Sequence, residues 1–322
     1  MTDGGFTDFG NVWTPVAMAS DLRSDEPLGV QVAGVRLALF RGEGGKPAAL
    51  PDRCIHRGAA LSLGRVEAQC LECPFHGWRY AADGRVTTVP WNPDAKLPTL
   101  RTRSVPAREL GGLIWIHTSF DAPPPDEPQM HEWFVDPAMR VAGIAVDWNV
   151  HWTRAMENML DSPHLPFVHA DTIGRGLRSL VGGRMDIDVE DQPWGFRSRI
   201  RVDGEPRPGM LDFRWPNQMN LHIGLPKRRL LLMTACVPID GERTRMLLVG
   251  ARDFLRLPLL DRFFNRANIR IANQDKAIVE SSQPPRVPDA RDEKSVRTDA
   301  PVLKFRKLYF ERLARGSEAV VR

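Results

Sequence analysis

Apolar residues come in short runs through the first third of the chain. Val30–Val32, Leu37–Phe40, Val86–Val89 and Leu113–Ile116 are separated by Gly, Pro and Asp, the punctuation of strands joined by turns. No segment there sustains a helical period. The proline-rich polar stretch Asp121–Pro128 cannot continue a strand, and it predicts a boundary between units 1–120 and 121–322. Beyond it the pattern mixes. Trp152, Ala155, Met156 and Met159 predict a helix over His151–Leu160. Strand-like segments return from about Met185 to Val249, most clearly at Leu221–Ile223, Leu230–Met233 and Met246–Val249. A long helix is expected from Leu259 to about Ser281, with Leu260, Phe263, Phe264, Ala267, Ile271 and Ala272 near one face, stopped by Pro284-Pro285. A last helix is expected over Pro301–Ala314.

Composition changes this picture little. The chain has 322 residues, 42% hydrophobic and 26% charged, which fits two globular domains and excludes a disordered chain. The net charge of +4 is spread and interleaved with acids. The densest basic run, Lys227-Arg228-Arg229, is too short to track a phosphate backbone, so the bland reading is a solvated basic surface. Neither a secretory signal nor an apolar run of membrane-spanning length is found, so a cytoplasmic, reducing compartment is expected. There, clustered Cys and His more often hold metal than form disulfides.

Two such clusters stand out. The first pairs Cys54-Ile55-His56-Arg57-Gly58 with Cys73-Pro74-Phe75-His76-Gly77-Trp78, one Cys and one His on each of two loops. Soft thiolates and imidazoles suit iron–sulfur clusters or zinc, and ligand type alone leaves both open. Gly58 and Gly77 follow the ligand pairs, where backbone N–H groups approach cluster sulfides with no Cβ in the way. Cys70 reads as a bystander and Cys236 as a core residue.

The second cluster lies in Asn158–His169. On an unbroken helix His164 and His169, five apart, would point in different directions. Pro163 and Pro166 break the turn and let them approach. Asn158, Asp161 and His164 follow an i, i+3, i+6 ladder, which places Asp161 to accept a hydrogen bond from His164. Two His and a carboxylate form the facial triad of non-haem iron sites. The carboxylate must come from elsewhere. Asp275 and Glu280, on the long C-terminal helix, are rivals that cannot share the role.

Here the sequence resembles a known family. CIHRGAALSLG and CPFHGWRY resemble the cluster loops of Rieske proteins. NMLDSPHLPFVH and NQDKAIVE resemble the N-x-x-D-x-x-H-x4-H and late D-x-x-x-x-E segments of Rieske non-haem iron oxygenases. With Asn11-Val-Trp-Thr-Pro the resemblance covers most of the chain, and the layout is similar to the vanillate demethylase and pheophorbide a oxygenase subgroup. It implies an α+β protein: an all-β Rieske [2Fe–2S] domain, then a helix-grip (START-like) catalytic domain with an antiparallel sheet and a long C-terminal helix. It implies cluster ligands Cys54, His56, Cys73 and His76, and mononuclear Fe(II) ligands His164, His169 and Asp275. Asp161 becomes the bridge to the cluster and Asn158 a residue near the iron.

The resemblance further implies O2 as co-substrate and an organic, aromatic or cyclic substrate that is hydroxylated or demethylated. Electrons would come from NAD(P)H through a separate reductase or ferredoxin, since no GxGxxG fingerprint is present. A head-to-tail homotrimer is expected, with neither nucleic acid nor membrane as partner. Residues 178–252 match no motif and leave the substrate open. The competing classes are a Rieske electron carrier with an appended interaction domain and a zinc-stapled binding module. Colour and metal content separate the three.

Overall fold

The structure, a computed structural model, describes residues 5–121, 124–289 and 291–314. It divides into two compact units, Met1–Pro128 and Gln129–Arg322, so the division falls at the end of the proline-rich stretch.

The first unit is built from ten strands in chain order: β1 (Trp13–Met18), β2 (Leu28–Val32), β3 (Val35–Arg41), β4 (Pro47–Pro51), β5 (Arg65–Glu67), β6 (Cys70–Glu72), β7 (Arg79–Tyr80), β8 (Val86–Thr88), β9 (Ala107–Leu110) and β10 (Leu113–His117). They form three antiparallel sheets, ordered β1-β10-β9, β2-β3-β4 and β5-β6-β7-β8. Ala38, Phe40, Leu50, Leu61, Leu71 and Tyr80 make one core, and Cys54 and Cys73 belong to it. The loop after β4 carries Cys54 and His56. The loop between β6 and β7 carries Cys73 and His76.

The second unit holds one eight-stranded antiparallel sheet. Its strands are β11 (Arg140–Trp148), β12 (Met185–Gln192), β13 (Gly195–Val202), β14 (Glu205–Pro206), β15 (Met210–Arg214), β16 (Gln218–Leu225), β17 (Arg228–Pro238) and β18 (Thr244–Arg252), ordered β11-β18-β17-β16-β15-β13-β12 with β14 on β13. The helices are α1 (Trp152–Leu160), α2 (Leu165–Val168), α3 (Asp261–Glu280) and α4 (Ala300–Tyr309). His151 caps α1: its side chain accepts from the Thr153 N–H. Among the described residues no helix is long and apolar enough to cross a membrane.

Register decides what each sheet face does, because paired residues share a face. Phe196 faces Phe213 across β13 and β15, and Phe213 meets Phe305 of α4 at 5.4 Å, so this face is covered by helices. Residues of the opposite parity, Arg197, Asp212 and His222, lie on the other face, where His131 and Trp133 meet His222 edge to face. Helix α1 is tied to α4 by a buried network. Arg154 reaches Glu157 at 3.0 Å and Glu293 at 2.6 Å, and Arg306 bonds Glu157 and Glu293. The apolar face expected for the long helix is buried only in part: Ala272 is buried, Leu260, Phe264 and Ile271 are half-buried, and Phe263 and Ala267 are exposed. Phe263 is 68% exposed, and Ala272, Asp275 and Val279 are the buried residues of α3.

Candidate metal centres and substrate cavity

The two Cys/His loops share one backbone design. Cys54 N–H donates to Ala59 O and Gly58 N–H to Cys54 O; Cys73 N–H donates to Trp78 O and Gly77 N–H to Cys73 O. Each turn closes through a glycine in the left-handed region, Gly58 at φ 74° and Gly77 at φ 67°. Conformation demands glycine at both positions; an added Cβ would meet only an ordinary contact at Gly58, 3.5 Å from Arg53 Nε, and would also press on Pro90 Cγ at 3.2 Å at Gly77. The thiols are buried, while His56 is exposed and His76 half-buried, their rings 4.7 Å apart. His56 stacks on Trp78 at 4.8 Å. Tyr80 Oη accepts from the Ile55 N–H at 3.1 Å, which leaves its own proton for Cys54 Sγ, also at 3.1 Å. Burial pushes the Cys73 thiol up; the Phe75 N–H opposes this, and a hydrogen bond with Cys54 adds to it.

These four residues do not suit a single ion. A tetrahedral zinc holds its ligand atoms about 3.3–3.8 Å apart. Among the described residues, no three of Cys54, His56, Cys73 and His76 bring ligand atoms within 4.8 Å of one another. An inner thiol pair and an outer imidazole pair fit a two-iron cluster, with Cys on one iron and His on the other. Cys70 stands apart, its Sγ 3.7 Å from Thr87 Oγ1, and Cys236 is fully buried.

In the second unit α1 ends at Leu160, and Asp161 is already extended (φ −85°, ψ 120°). The contact between Asp161 and His164 therefore forms across a turn, with Asp161 Oδ2 3.2 Å from His164 Nδ1. After Pro163 the short helix α2 returns His169 towards His164, ring centroids 5.2 Å apart. Gly174 braces the return: its N–H donates to His169 O at 3.0 Å, and an added Cβ would lie 1.8 Å from the Leu165 carbonyl oxygen.

Hydrogen bonding sets both tautomers. His164 Nδ1 faces a carboxylate. His169 Nδ1 lies 2.9 Å from Gln274 Oε1, an oxygen that also accepts from Thr172 Oγ1. Both Nδ1 atoms thus face acceptors, which favours the tautomer whose Nε2 is free to bind a metal. Asp275 Oδ1 lies 3.6 Å from His164 Nε2 and 3.1 Å from His169 Nε2. That oxygen is buried and has no hydrogen-bond partner. Three potential ligand atoms converge on one point, an arrangement suited to a cation. Octahedral ligands at about 2.1 Å sit about 3 Å apart, so the spacing fits one ion with three open positions. Glu280 is occupied elsewhere, accepting from the Asn149 N–H at 2.6 Å.

A second buried set, His131, Asp212 and His222, also brings ligand atoms within 4.8 Å. It already has its cation. Arg197 grips both Asp212 oxygens at 2.6 and 2.9 Å, and His222 Nε2 adds a bond at 3.1 Å. Burial alone would raise the Asp212 carboxyl, but these bonds hold it at about 2.

Asn158, Asp161, His164, His169 and Asp275 all border a cavity of about 500 Å³. The rest of its wall is mostly apolar, including Leu165, Leu177, Met219, Leu232, Leu248 and Ile271. The sequence reading missed Gln274, Trp78 and Tyr80. All three lie inside or beside the motifs, yet only the fold reveals which atoms they touch.

Residues 12–102 match the Rieske [2Fe-2S] domain, and residues 148–315 match the vanillate O-demethylase oxygenase C-terminal domain. The chain belongs to the Rieske non-haem iron oxygenases. Among relatives in this family, methylxanthine N3-demethylase NdmB of Pseudomonas putida is 30% identical over 322 residues, covering 93% of this chain and 88% of the relative. Chlorophyllide a oxygenase of Arabidopsis thaliana is 29% identical over 291 residues, covering 85% of this chain and 52% of the relative. The chain spans about half the length of the chlorophyllide a oxygenases it matches. Among solved structures, Pseudomonas putida CBB5 NdmA with caffeine superposes with a TM-score of 0.81 at 26% identity, covering 96% of this chain and 92% of that one. The Rieske oxygenase fold, with its all-β first unit and helix-covered antiparallel sheet, is thus shared along nearly the whole chain.

Proposed function

We propose that this Rieske oxygenase is a terminal oxygenase that oxidises a cyclic organic compound bound in the cavity, by hydroxylation or demethylation. The convergence of His164 Nε2, His169 Nε2 and Asp275 Oδ1 on one point beside an apolar cavity carries the reading. The relatives' names point the same way, since methylxanthine and 3-chlorobenzoate are ring compounds. When bound, a Rieske cluster at Cys54, His56, Cys73 and His76 supplies single electrons, and Fe(II) at His164, His169 and Asp275 activates O2. The protein's part is positional. Asp161 and Gln274 fix the two imidazoles in the ligating tautomer. The apolar wall excludes water and holds the substrate against the triad. Asn158 borders the same end of the cavity.

Electrons would arrive from NAD(P)H through a separate reductase or ferredoxin in a reducing, cytoplasmic setting. The exposed His56 edge, with the 61% exposed Phe75 packed against His76 at 3.9 Å, is the surface suited to receive them. A head-to-tail trimer would place this edge of one subunit beside Asp161 of the next. Asp161 suits a bridge, because Oδ2 holds His164 and its side chain remains 31% accessible.

Metal analysis of purified protein tests the reading. A red-brown protein with acid-labile sulfide and about three irons per chain is expected. About two irons would make it an electron carrier, and a colourless zinc protein would refute both. A second outcome concerns tuning. Removing the Tyr80 hydroxyl takes a donor from Cys54 Sγ, and hydrogen bonds to sulfur stabilise the reduced cluster. Tyr80→Phe is therefore expected to lower the one-electron cluster potential by about 50 mV, equivalent to about 1 kcal/mol, the worth of roughly one ordinary hydrogen bond. An unchanged potential in a redox titration would remove Tyr80 from the cluster.

A further inference from the structure

Arg207 lines the cavity, and its position stands out against its neighbours. Its N–H donates to Ile200 O at 2.9 Å, continuing the β13–β14 pairing in which Arg201 faces Pro206 and Val202 faces Glu205. Arg207 thus stands opposite Ile200 and leaves the sheet on the face shared by Ile200 and Ser198, both of which border the cavity. Arg197, Arg199 and Arg201 have the opposite parity, and each has a carboxylate: Asp212, Glu190 and Asp188. Among the described residues, Arg207 has none. Its Nε is buried and makes no hydrogen bond. The other formally charged side chains of the lining are Asp161 and Asp275, which belong to the iron end.

A buried guanidinium N–H in an apolar wall is costly unless a ligand completes it. The planar fork matches a carboxylate through two parallel N–H···O bonds, and the apolar surroundings strengthen that pairing. We propose that the substrate is a ring compound bearing a carboxylate, and that Arg207 is the residue that selects it. This rests on the oxygenase reading of the cavity. The carboxylate sits on Arg207, which leaves the carbon to be oxidised free to lie towards His164, His169 and Asp275.

The test measures binding to the purified holoprotein by isothermal titration calorimetry. The probes are 2-, 3- and 4-methoxybenzoate, each matched with its methoxybenzamide. Wild type is expected to bind at least one acid roughly tenfold or more tighter than its amide, the worth of a charge-assisted pair. Arg207→Gln should bring that ratio close to one while leaving amide affinity unchanged. Arg207→Lys, which keeps charge but loses the fork, should fall between. No acid preference in wild type, or a full preference in Arg207→Gln, overturns the assignment. If Arg207→Gln does not fold, Arg207→Lys decides, and an undiminished ratio there overturns it equally. Iron content of the same wild-type sample separates the two readings. Full iron without acid preference refutes the carboxylate and leaves the oxygenase standing. A protein that takes up no iron refutes both.

Discussion

Asp275→Ala is expected to empty the mononuclear site, abolish product formation and leave the visible spectrum unchanged. The carboxylate is the one anion among the three converging atoms, and two neutral imidazoles alone hold a divalent iron poorly. Altering residues that merely orient metal ligands costs roughly 10–100-fold in affinity or activity, so loss of a ligand should exceed about 100-fold. Iron should fall by about one per chain, and His164→Ala should behave alike. The fold should survive, because Asp275 Oδ1 makes no hydrogen bond that the sheet or helices depend on. Cys73→Ser should give the reciprocal result: spectrum lost, iron down by about two and the catalytic unit still folded. Metal analysis with visible spectroscopy reads all three variants. Retained iron and activity in Asp275→Ala, with both lost in Glu280→Ala, would move the third ligand to Glu280. The structure speaks against that outcome, since Glu280 already accepts from the Asn149 N–H.

Most of the framework was legible because period and punctuation are local. The apolar runs at Leu37–Phe40 and Leu113–Ile116 lie in β3 and β10, and α3 runs from Asp261 to Glu280 within the span its pattern predicted. The metal-ligating types were legible for the same reason, being rare residues at short spacing. What stayed hidden depends on geometry that spacing does not encode. The ladder argument brought Asp161 to His164, yet the helix had already ended and a turn makes the contact. Gln274 carries no signal, because a glutamine beside an aspartate on a helix is ordinary until His169 is folded onto it. Phe263 is expected on a buried face and is exposed, because the first turns of α3 meet the sheet through polar bonds of Asp261 and Asn265, to Arg140 and Arg252 and to the Gly143 carbonyl, rather than through Phe263. Arg207 was illegible in principle. A one-residue slip of β14 on β13 would send its side chain to the other face, and only long-range pairing fixes that register.

Two defective variants are expected to restore one another. The cluster residues lie in the first unit and the triad in the second, and the proposed trimer joins them across a subunit boundary. Cys54→Ala should lack the cluster and His164→Ala the mononuclear iron, so each should be inactive alone. Co-expressed, they form mixed rings in which an intact Cys54–His76 edge faces an intact His164–Asp275 site of the neighbouring subunit. A heterologous ring of three contains such a pair whenever both variants are present, because at least one boundary then runs in the productive direction. Each mixed ring holds one productive boundary of three, so activity should return to about one third of wild type per mixed trimer. Asp161→Asn should keep both metals and still lose most of its turnover, because the amide cannot bridge two imidazoles as an anionic acceptor does. Purified mixed trimers are compared with each parent in a product assay with a surrogate reductase, alongside iron content. Mixed trimers that stay inactive while each variant retains its other metal would show that electrons do not cross between subunits. Asp161→Asn at full turnover would show that the bridge is not Asp161.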